Sequence, residues 1–271
     1  MQAGEALHGD STARRRPRYD GCGMHTADRL HAKNGIWGRM LLVLADDRGL
    51  TGFPVVTLSW AQTPASVIAA ARGARTTLSS AESLAFTHRL RGAHDGILAG
   101  IGTVLADDPL LSVRLAAGRQ PRPVILDTRL RTPPSARLLA RTDRSPWIFH
   151  GEAPGDAARE LAARGARLFR VRETGSGLDL DEVLAALAAE GIRSLMVEGG
   201  ALVLRAFIAA HLARQAVVTV CPREMDGYAL FEEGRAWRKR LDFSQSLEEA
   251  FGIDTVVWGL FDDGRTGSGA H

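Results

Sequence analysis

Cysteine, lysine and tyrosine are scarce in this chain of 271 residues. The two cysteines, Cys22 and Cys221, lie far apart in sequence. They make no metal-ligand spacing, and a disulfide framework is not expected. Lysine occurs only at Lys33 and Lys239, so positive charge is carried almost wholly by arginine. Acidic residues nearly balance it, leaving a formal charge of +3. The basic clusters, Arg14-Arg15-Arg16 and the stretch from Arg235 to Arg240, read as solvated surface, and no nucleic-acid partner is expected. No apolar run approaches the roughly 20 residues of a membrane span, and the N-terminus lacks a charged-then-apolar signal pattern. The expectation is a cytoplasmic protein with no membrane partner. Residues 1 to about 50 hold no His-x-Glu followed by Pro-Cys-x-x-Cys, so that segment is not expected to be a zinc deaminase, and there is no internal repeat.

What remains is a globular composition, 45% hydrophobic and 24% charged. Residues 1 to about 50 differ from the rest: the first 38 show no clear periodicity and are expected to be loosely attached. Met40 to Ala45 could be a strand or a helical turn. Order is read to begin at Phe53, giving an N-terminal extension over 1–50, a main domain over 51–262 and a tail over 263–271. Pro54 to Trp60 alternates like a buried strand. Ser79-Ser80-Ala81-Glu82 fits a capping box, with Ser79 as cap and Glu82 reaching back, for a helix to about Arg91. Further strands are expected at Ile97–Ala99, Leu111–Val113, Pro123–Asp127, Trp147–His150, Arg167–Val171, Ile192–Val197 and Ala216–Val220. Helices are expected at Asp156–Arg164, Leu180–Glu190 (capped by Asp179) and Ala201–Ala210. Phe231 to Arg240 reads as irregular. Asp254–Phe261 is expected to pair with a strand near Leu241–Leu247. Strands alternating with helices, closed by an antiparallel pair, argue for an α/β fold with a mainly parallel sheet and an antiparallel C-terminal edge.

Two junctions carry the chemistry. Gly100-Ile101-Gly102-Thr103 follows one strand, and Glu198-Gly199-Gly200-Ala201-Leu202 follows another. In an open sheet, ligands bind beyond the carboxyl ends of the strands. Glycine lets backbone approach a ligand, and N–H groups at such turns hold phosphate. Two junctions together could flank one diphosphate. The first lacks the Rossmann fingerprint, because Leu105 stands where the third glycine belongs.

The run from Arg75 to Arg114 holds Arg75-Thr76-Thr77, Thr87-His88-Arg89-Leu90-Arg91 and the block from Gly102 to Pro109. With Arg122 to Thr128 and Leu195 to Gly200, it resembles the riboflavin-pathway pyrimidine reductases over about residues 53–261. That resemblance implies a dihydrofolate-reductase-like fold of a central mixed sheet flanked by helices, and a homodimer. It implies NADPH as hydride donor. The substrate it implies is a phosphorylated pyrimidine ribosylamine, whose ribose is opened and reduced to a ribityl chain. Carried over by position, the cofactor side takes in Ala61, Gly100, Gly102, Thr103, Asp107, Thr128, Gly199, Gly200, Ala201 and Leu202. The substrate side takes in Arg91, Leu111, Arg114 and Glu198, with Arg91 and Arg114 suited to a phosphate. Asp108 reads as structural, as do His88 and His94.

Departures from the family pattern stand beside this. Where such reductases commonly carry Ser-Leu-Asp-Gly after the first strand, this chain has Thr63-Pro64-Ala65-Ser66. Later, Ala213-Arg214-Gln215 replaces a Val-Asp-Glu, and Asp226-Gly227 replaces a glycine pair. A non-catalytic or redirected homologue, binding nucleotide or reducing a related heterocycle, is therefore the alternative reading.

Overall fold

The computed structural model describes residues 35–46, 52–153, 155–175, 177–231 and 237–262. Thirteen strands and seven α-helices follow along these residues: α1 (Ile36–Asp46), β1 (Val55–Gln62), β2 (Val67–Ala69), α2 (Ala81–Ala93), β3 (Gly96–Gly100), α3 (Ile101–Asp107), β4 (Arg122–Leu126), β5 (Trp147–His150), α4 (Gly155–Ala163), β6 (Arg167–Arg170), β7 (Glu173–Thr174), β8 (Gly177–Leu178), α5 (Leu180–Ala189), β9 (Ser194–Glu198), α6 (Ala201–Ala209), β10 (Gln215–Val220), β11 (Tyr228–Ala229), α7 (Trp237–Leu241), β12 (Phe243–Phe251) and β13 (Asp254–Phe261). Nine strands form one sheet in the order β12-β13-β10-β1-β9-β3-β4-β5-β6. The seven from β10 to β6 run parallel, and β13 and β12 add an antiparallel edge. This is the α/β architecture that the strand–helix alternation predicts.

The period of two along each strand sorts its side chains between the sheet's faces. Val56, Leu58, Leu98, Val124, Phe149, Leu195 and Val197 meet α5 and α6 through Val183, Leu184, Leu187, Leu204 and Phe207. On the other face Ile97, Ala99, Ile125 and Ile148 pack with Val104 of α3 and Leu161 of α4. Further along that face Val55, Met196, Val217 and Val256 meet Phe86 and Leu90 of α2 and Ile36, Met40 and Leu44 of α1.

The helix α1 changes the reading of the N-terminal region. Met40–Ala45 is helical, and ordered chain precedes Phe53. Ile36, Met40 and Leu44 are spaced by four, so one face carries all three, and each is wholly buried. Arg89 of α2 stacks 4.5 Å from the ring centroid of Trp37, and the Ile36 N–H donates to Glu249 of β12 at 3.1 Å. Residues 1–34 and the expected tail 263–271 lie outside the described residues.

Other expectations need correction. The cap of α2 is Ser80, not Ser79: its Oγ accepts from the Ser83 N–H at 3.4 Å. Asp254, not Glu82, takes the Ser80 N–H, at 2.6 Å, and also the Ser83 hydroxyl, at 2.5 Å. The partner comes from β13, where no local pattern reveals it. The helix continues through Gly92 to Ala93. Gly92 is there for contact, since a Cβ at this position would lie 3.3 Å from the Gly118 Cα. Trp237–Arg240, read as irregular, and Leu241, expected to open a strand, form a helix instead.

Asp254 makes a pH prediction. Burial pushes its carboxyl up, but hydrogen bonds from Ser83 and Ser80 outweigh burial and hold it below the ordinary carboxylate range. Its folded value is thus lower than its unfolded one. The resulting stabilisation is present above the ordinary carboxylate range and is lost as pH falls through the depressed folded value. Asp254→Asn is expected to cost about 1–3 kcal/mol at neutral pH and to flatten the acid side of the stability–pH curve. Urea unfolding at neutral and acid pH measures both; an unchanged acid slope counts against this role.

Candidate functional site

The carboxyl ends of β1, β9, β3 and β4 open onto one cleft of about 1370 Å³. All fourteen residues carried over by resemblance line it, from Ala61 on β1 to Thr128 after β4. Adjacency of β9 and β3 brings the two glycine junctions side by side. They are bonded to each other: the Gly200 N–H donates to Thr103 Oγ1 at 3.1 Å. That bond uses an oxygen lone pair and leaves the Thr103 hydroxyl hydrogen free to donate elsewhere.

The glycines at these junctions serve different ends. Gly199 holds φ at 95°, and a Cβ there would fall 2.7 Å from Thr103 Oγ1. Gly100 has ordinary extended backbone, φ −83°, but a Cβ would meet Val203 of α6 at 2.7 Å. The first junction is therefore not a left-handed turn; β3 passes directly into α3. Gly102 lies within α3, and a Cβ there would meet nothing within 4 Å, so bare backbone faces open space. At the head of α6, Gly200 caps without a side-chain bond, which leaves the first N–H groups to a ligand. Asp107 closes α3, and its Oδ1 is buried without a hydrogen-bond partner among the described residues. Burial raises its pKa against the opposing charge of Arg75. Asp108 is structural as read: it takes a left-handed conformation and accepts from the Arg137 N–H at 2.8 Å.

Arg91 and Glu198 form a bidentate ion pair, Nε to Oε1 at 2.7 Å and Nη2 to Oε2 at 2.6 Å. Their side chains are 14% and 13% exposed. Burial works against the Arg91 charge, but the charge and hydrogen bonds of Glu198 outweigh it and raise the guanidinium above its ordinary value. A third bond runs from Arg91 Nη1 to the Ser112 carbonyl at 3.1 Å. Arg91 thus lines the cleft with its guanidinium engaged by protein partners. Arg114 is exposed, and among the described residues its guanidinium donates to Ser112 Oγ alone, at 2.9 Å. Arg137, also on the cleft wall, is close enough to lower the Arg114 value, behind burial and Arg91.

The strand expected at Leu111–Val113 is absent. Leu111 is buried but has φ 47°, which breaks an extended run. Sequence reading finds apolar alternation here, yet side chains from elsewhere take the backbone bonds. Arg141 donates to the Leu110 and Leu111 carbonyls, and Gln120 bonds both the N–H and the carbonyl of Val113.

The turn holding Ala65 lies beside the cleft rather than in it. Ser66 sits at φ 65°, and its N–H closes onto the Thr63 carbonyl at 2.9 Å. Ala65 is exposed and does not line the cleft. Beyond the turn, β2 pairs with β11 to form a wall that brings Ile68, Ala69 and Tyr228 to the cleft. Arg205 of α6 holds that wall through the Leu230 and Ala229 carbonyls at 2.6 and 2.9 Å. A Cβ at Gly227 would come within 2.3 Å of the Ala69 carbonyl oxygen. Gln215, in the other departing segment, joins a buried chain from Trp258 Nε1 through Gln215 to Thr57 and the His94 ring. His94 is structural, with its second ring nitrogen 2.7 Å from the Leu90 carbonyl. Sequence reading missed Arg131, Arg137, Arg141 and Gln120; isolated polar residues in loops carry no local signal. Among the described residues no helix is long and apolar enough to cross a membrane, and no group of His, Cys, Asp and Glu is placed to hold a metal.

A sequence model of the RibD C-terminal domain matches residues 54–246. A 2,5-diamino-6-ribosylamino-4(3H)-pyrimidinone 5′-phosphate reductase of Methanothermobacter thermautotrophicus is 33% identical over 220 residues, covering 76% of this chain and 99% of that one. Riboflavin biosynthesis protein RibD of Aquifex aeolicus is 32% identical over 208 residues, 76% of this chain. The aligned part spans 57% of that relative's length. The solved structure of the Saccharomyces Rib7 reductase superposes with a TM-score of 0.64 at 24% identity, covering 82% of this chain and 96% of that one. RibD of Acinetobacter baumannii gives 0.62 at 23% identity, covering 78% and 58%. Both structural likenesses speak to the fold: a mainly parallel sheet with helices on its faces. With a family match over most of the described residues, the chain belongs to the RibD C-terminal domain family.

Proposed function

We propose that the chain is an NADPH-dependent reductase of riboflavin biosynthesis, converting the ribose of a pyrimidine ribosylamine 5′-phosphate to a ribityl chain. The observation that carries this is the joined pair of glycine junctions. It sets bare backbone at Gly102, the uncapped head of α6 and the free Thr103 hydroxyl hydrogen around one space. A diphosphate fits such donors. Gly102, Thr103 and the Gly199–Leu202 turn would hold it, with Ala61 and Thr128 on the cleft wall as further contacts to the dinucleotide. The bound nicotinamide supplies the hydride.

The chain's own work is placement. Arg114 and Arg137, with guanidinium groups open to the cleft, would take the substrate phosphate. Glu198, fixed by Arg91, keeps further lone pairs for ribose hydroxyls or pyrimidine amino groups. Leu111 would pack beside the substrate. The position of Ala65 outside the cleft favours a working enzyme over a non-catalytic homologue. NADPH oxidation with aminated and deaminated ribosylamine phosphates tests the reading; no turnover with either overturns it.

NADPH rather than NADH is supported by Arg131. It lines the cleft after β4 beside Thr128, and its guanidinium makes no bond among the described residues. Buried Asp127 shapes that turn, accepting from the Arg131 and Thr132 N–H groups at 2.9 and 2.7 Å. Arg131→Ala is expected to weaken 2′,5′-ADP binding roughly tenfold or more, the size of a lost charged hydrogen bond, while leaving 5′-ADP within about twofold. Calorimetric titration reads both; equal losses would remove Arg131 as the 2′-phosphate contact. A dimer, also proposed, is read by light scattering.

A further inference from the structure

His88 sits on α2 one turn before Arg91, at the cleft wall, and is 1% exposed. Its Nδ1 accepts the Arg114 backbone N–H at 3.0 Å. That bond ends a series. The Leu110, Leu111, Ser112 and Val113 peptide groups are bonded to Arg141, Arg91 and Gln120 side chains, and His88 takes the last N–H before the exposed Arg114 side chain. An N–H can only donate, so Nδ1 must carry a lone pair, and the hydrogen of the neutral ring is on Nε2. The Nε2–H faces Arg91 Nη1, itself a donor, at 3.4 Å, so that approach is a contact and not a hydrogen bond.

We propose that His88 is a positioning residue for Arg114: its Nδ1 lone pair seats the backbone from which the Arg114 guanidinium reaches the substrate's phosphate. This rests on the reading of Arg114 as a phosphate ligand. Among the described residues the guanidinium makes one hydrogen bond, to Ser112 Oγ, so its reach is set mainly by where its backbone is fixed. The charged groups facing the ring are Arg91 on its own helix, Arg114 on the held segment and Glu198 from β9. Burial first, then the two arginines, push the ring's pKa down to about 4, with Glu198 opposing. The lone pair is therefore present throughout the neutral range. A second ring proton would set a donor against the Arg114 N–H and a cation between two guanidiniums.

Asparagine separates this role from packing, because its Oδ1 stands at the place of Nδ1; glutamine and leucine put no acceptor there. KM and kcat for the ribosylamine phosphate are measured at saturating NADPH, with ribose 5-phosphate affinity by calorimetry and melting temperature alongside. His88→Gln and His88→Leu are expected to raise KM and weaken ribose 5-phosphate roughly tenfold, as an unsatisfied N–H and a displaced guanidinium predict. Their kcat should stay within about twofold, and His88→Asn should stay close to the parent in both. In an Arg114→Ala background, His88→Gln should change KM no further. The proposal is overturned if His88→Asn behaves like His88→Gln at equal melting temperature, if kcat falls instead of KM rising, or if the two substitutions add. Arg114→Ala with unchanged KM would instead refute the phosphate reading beneath it.

Discussion

Glu198→Ala is expected to destabilise the protein by about 3–5 kcal/mol, the range for removing one partner of a buried ion pair. The loss comes from Arg91, whose guanidinium would keep its charge at 14% exposure, beside the like charge of Arg114 and with the Ser112 carbonyl as its remaining acceptor among the described residues. Exchanging both partners for apolar residues, Arg91→Met with Glu198→Leu, should recover most of that stability, because no uncompensated charge is then buried. Activity should not return. The pair holds the Ser112 carbonyl, and with it the segment that carries Leu111 and Arg114, so its loss is expected to lower kcat/KM by about 100-fold, the scale of a misplaced site. Denaturant unfolding and steady-state kinetics on the single and double variants check this. Glu198→Ala within about 1 kcal/mol of the parent would mean that the pair behaves as a surface contact.

The second large effect sets Gly199 against Gly102, one at each of the two joined junctions. Gly199→Ala places a methyl group 2.7 Å from Thr103 Oγ1 at φ 95°. Backbone strain of about 1–3 kcal/mol combines with loss of the Thr103–Gly200 bond, about 1 kcal/mol. The variant is expected to melt lower and to bind the dinucleotide about 100-fold more weakly, since both junctions must shift. Gly102→Ala meets nothing within 4 Å inside a helix. It should be more stable by up to about 1 kcal/mol and yet bind the dinucleotide more weakly, because the methyl would stand where the proposed diphosphate meets backbone. Opposite signs in stability with the same sign in binding are what the cleft geometry predicts. Melting curves and calorimetric titration with NADP⁺ measure them. A Gly102→Ala variant that binds as tightly as the parent would place the diphosphate elsewhere.

Which parts of this molecule were legible in the chain follows from how far each determinant reaches. The short apolar runs at Val55–Trp60 and Ile192–Val197 mark strands because both sheet faces are covered there, and such a run is a local property. The Asp179 cap of α5 was legible for the same reason: its acceptor bonds the N–H groups two and three residues on. The glycine junctions stood out because strand, glycine and helix signals fall within a few residues. The resemblance placed fourteen residues, and tertiary structure gathered them into one cleft.

Beyond that, sequence by itself determined the types of the main sheet strands and of the helices α2, α4, α5 and α6, the mainly parallel sheet with its antiparallel end, and the family. Tertiary structure alone decided who bonds whom. Arg91 and Glu198 lie 107 residues apart, and nothing local says that a cation suited to phosphate will be spent on a carboxylate. Ser80 rather than Ser79 caps α2 because Asp254, 174 residues away, fixes its N–H. Leu111–Val113 alternates like a strand but is held by side chains from α2 and from two later loops, so its backbone has no ladder to join. The helix α1 needs the sheet face it covers. In each case the deciding partner is remote in sequence, and burial sets the strength of the contact because water is removed from it.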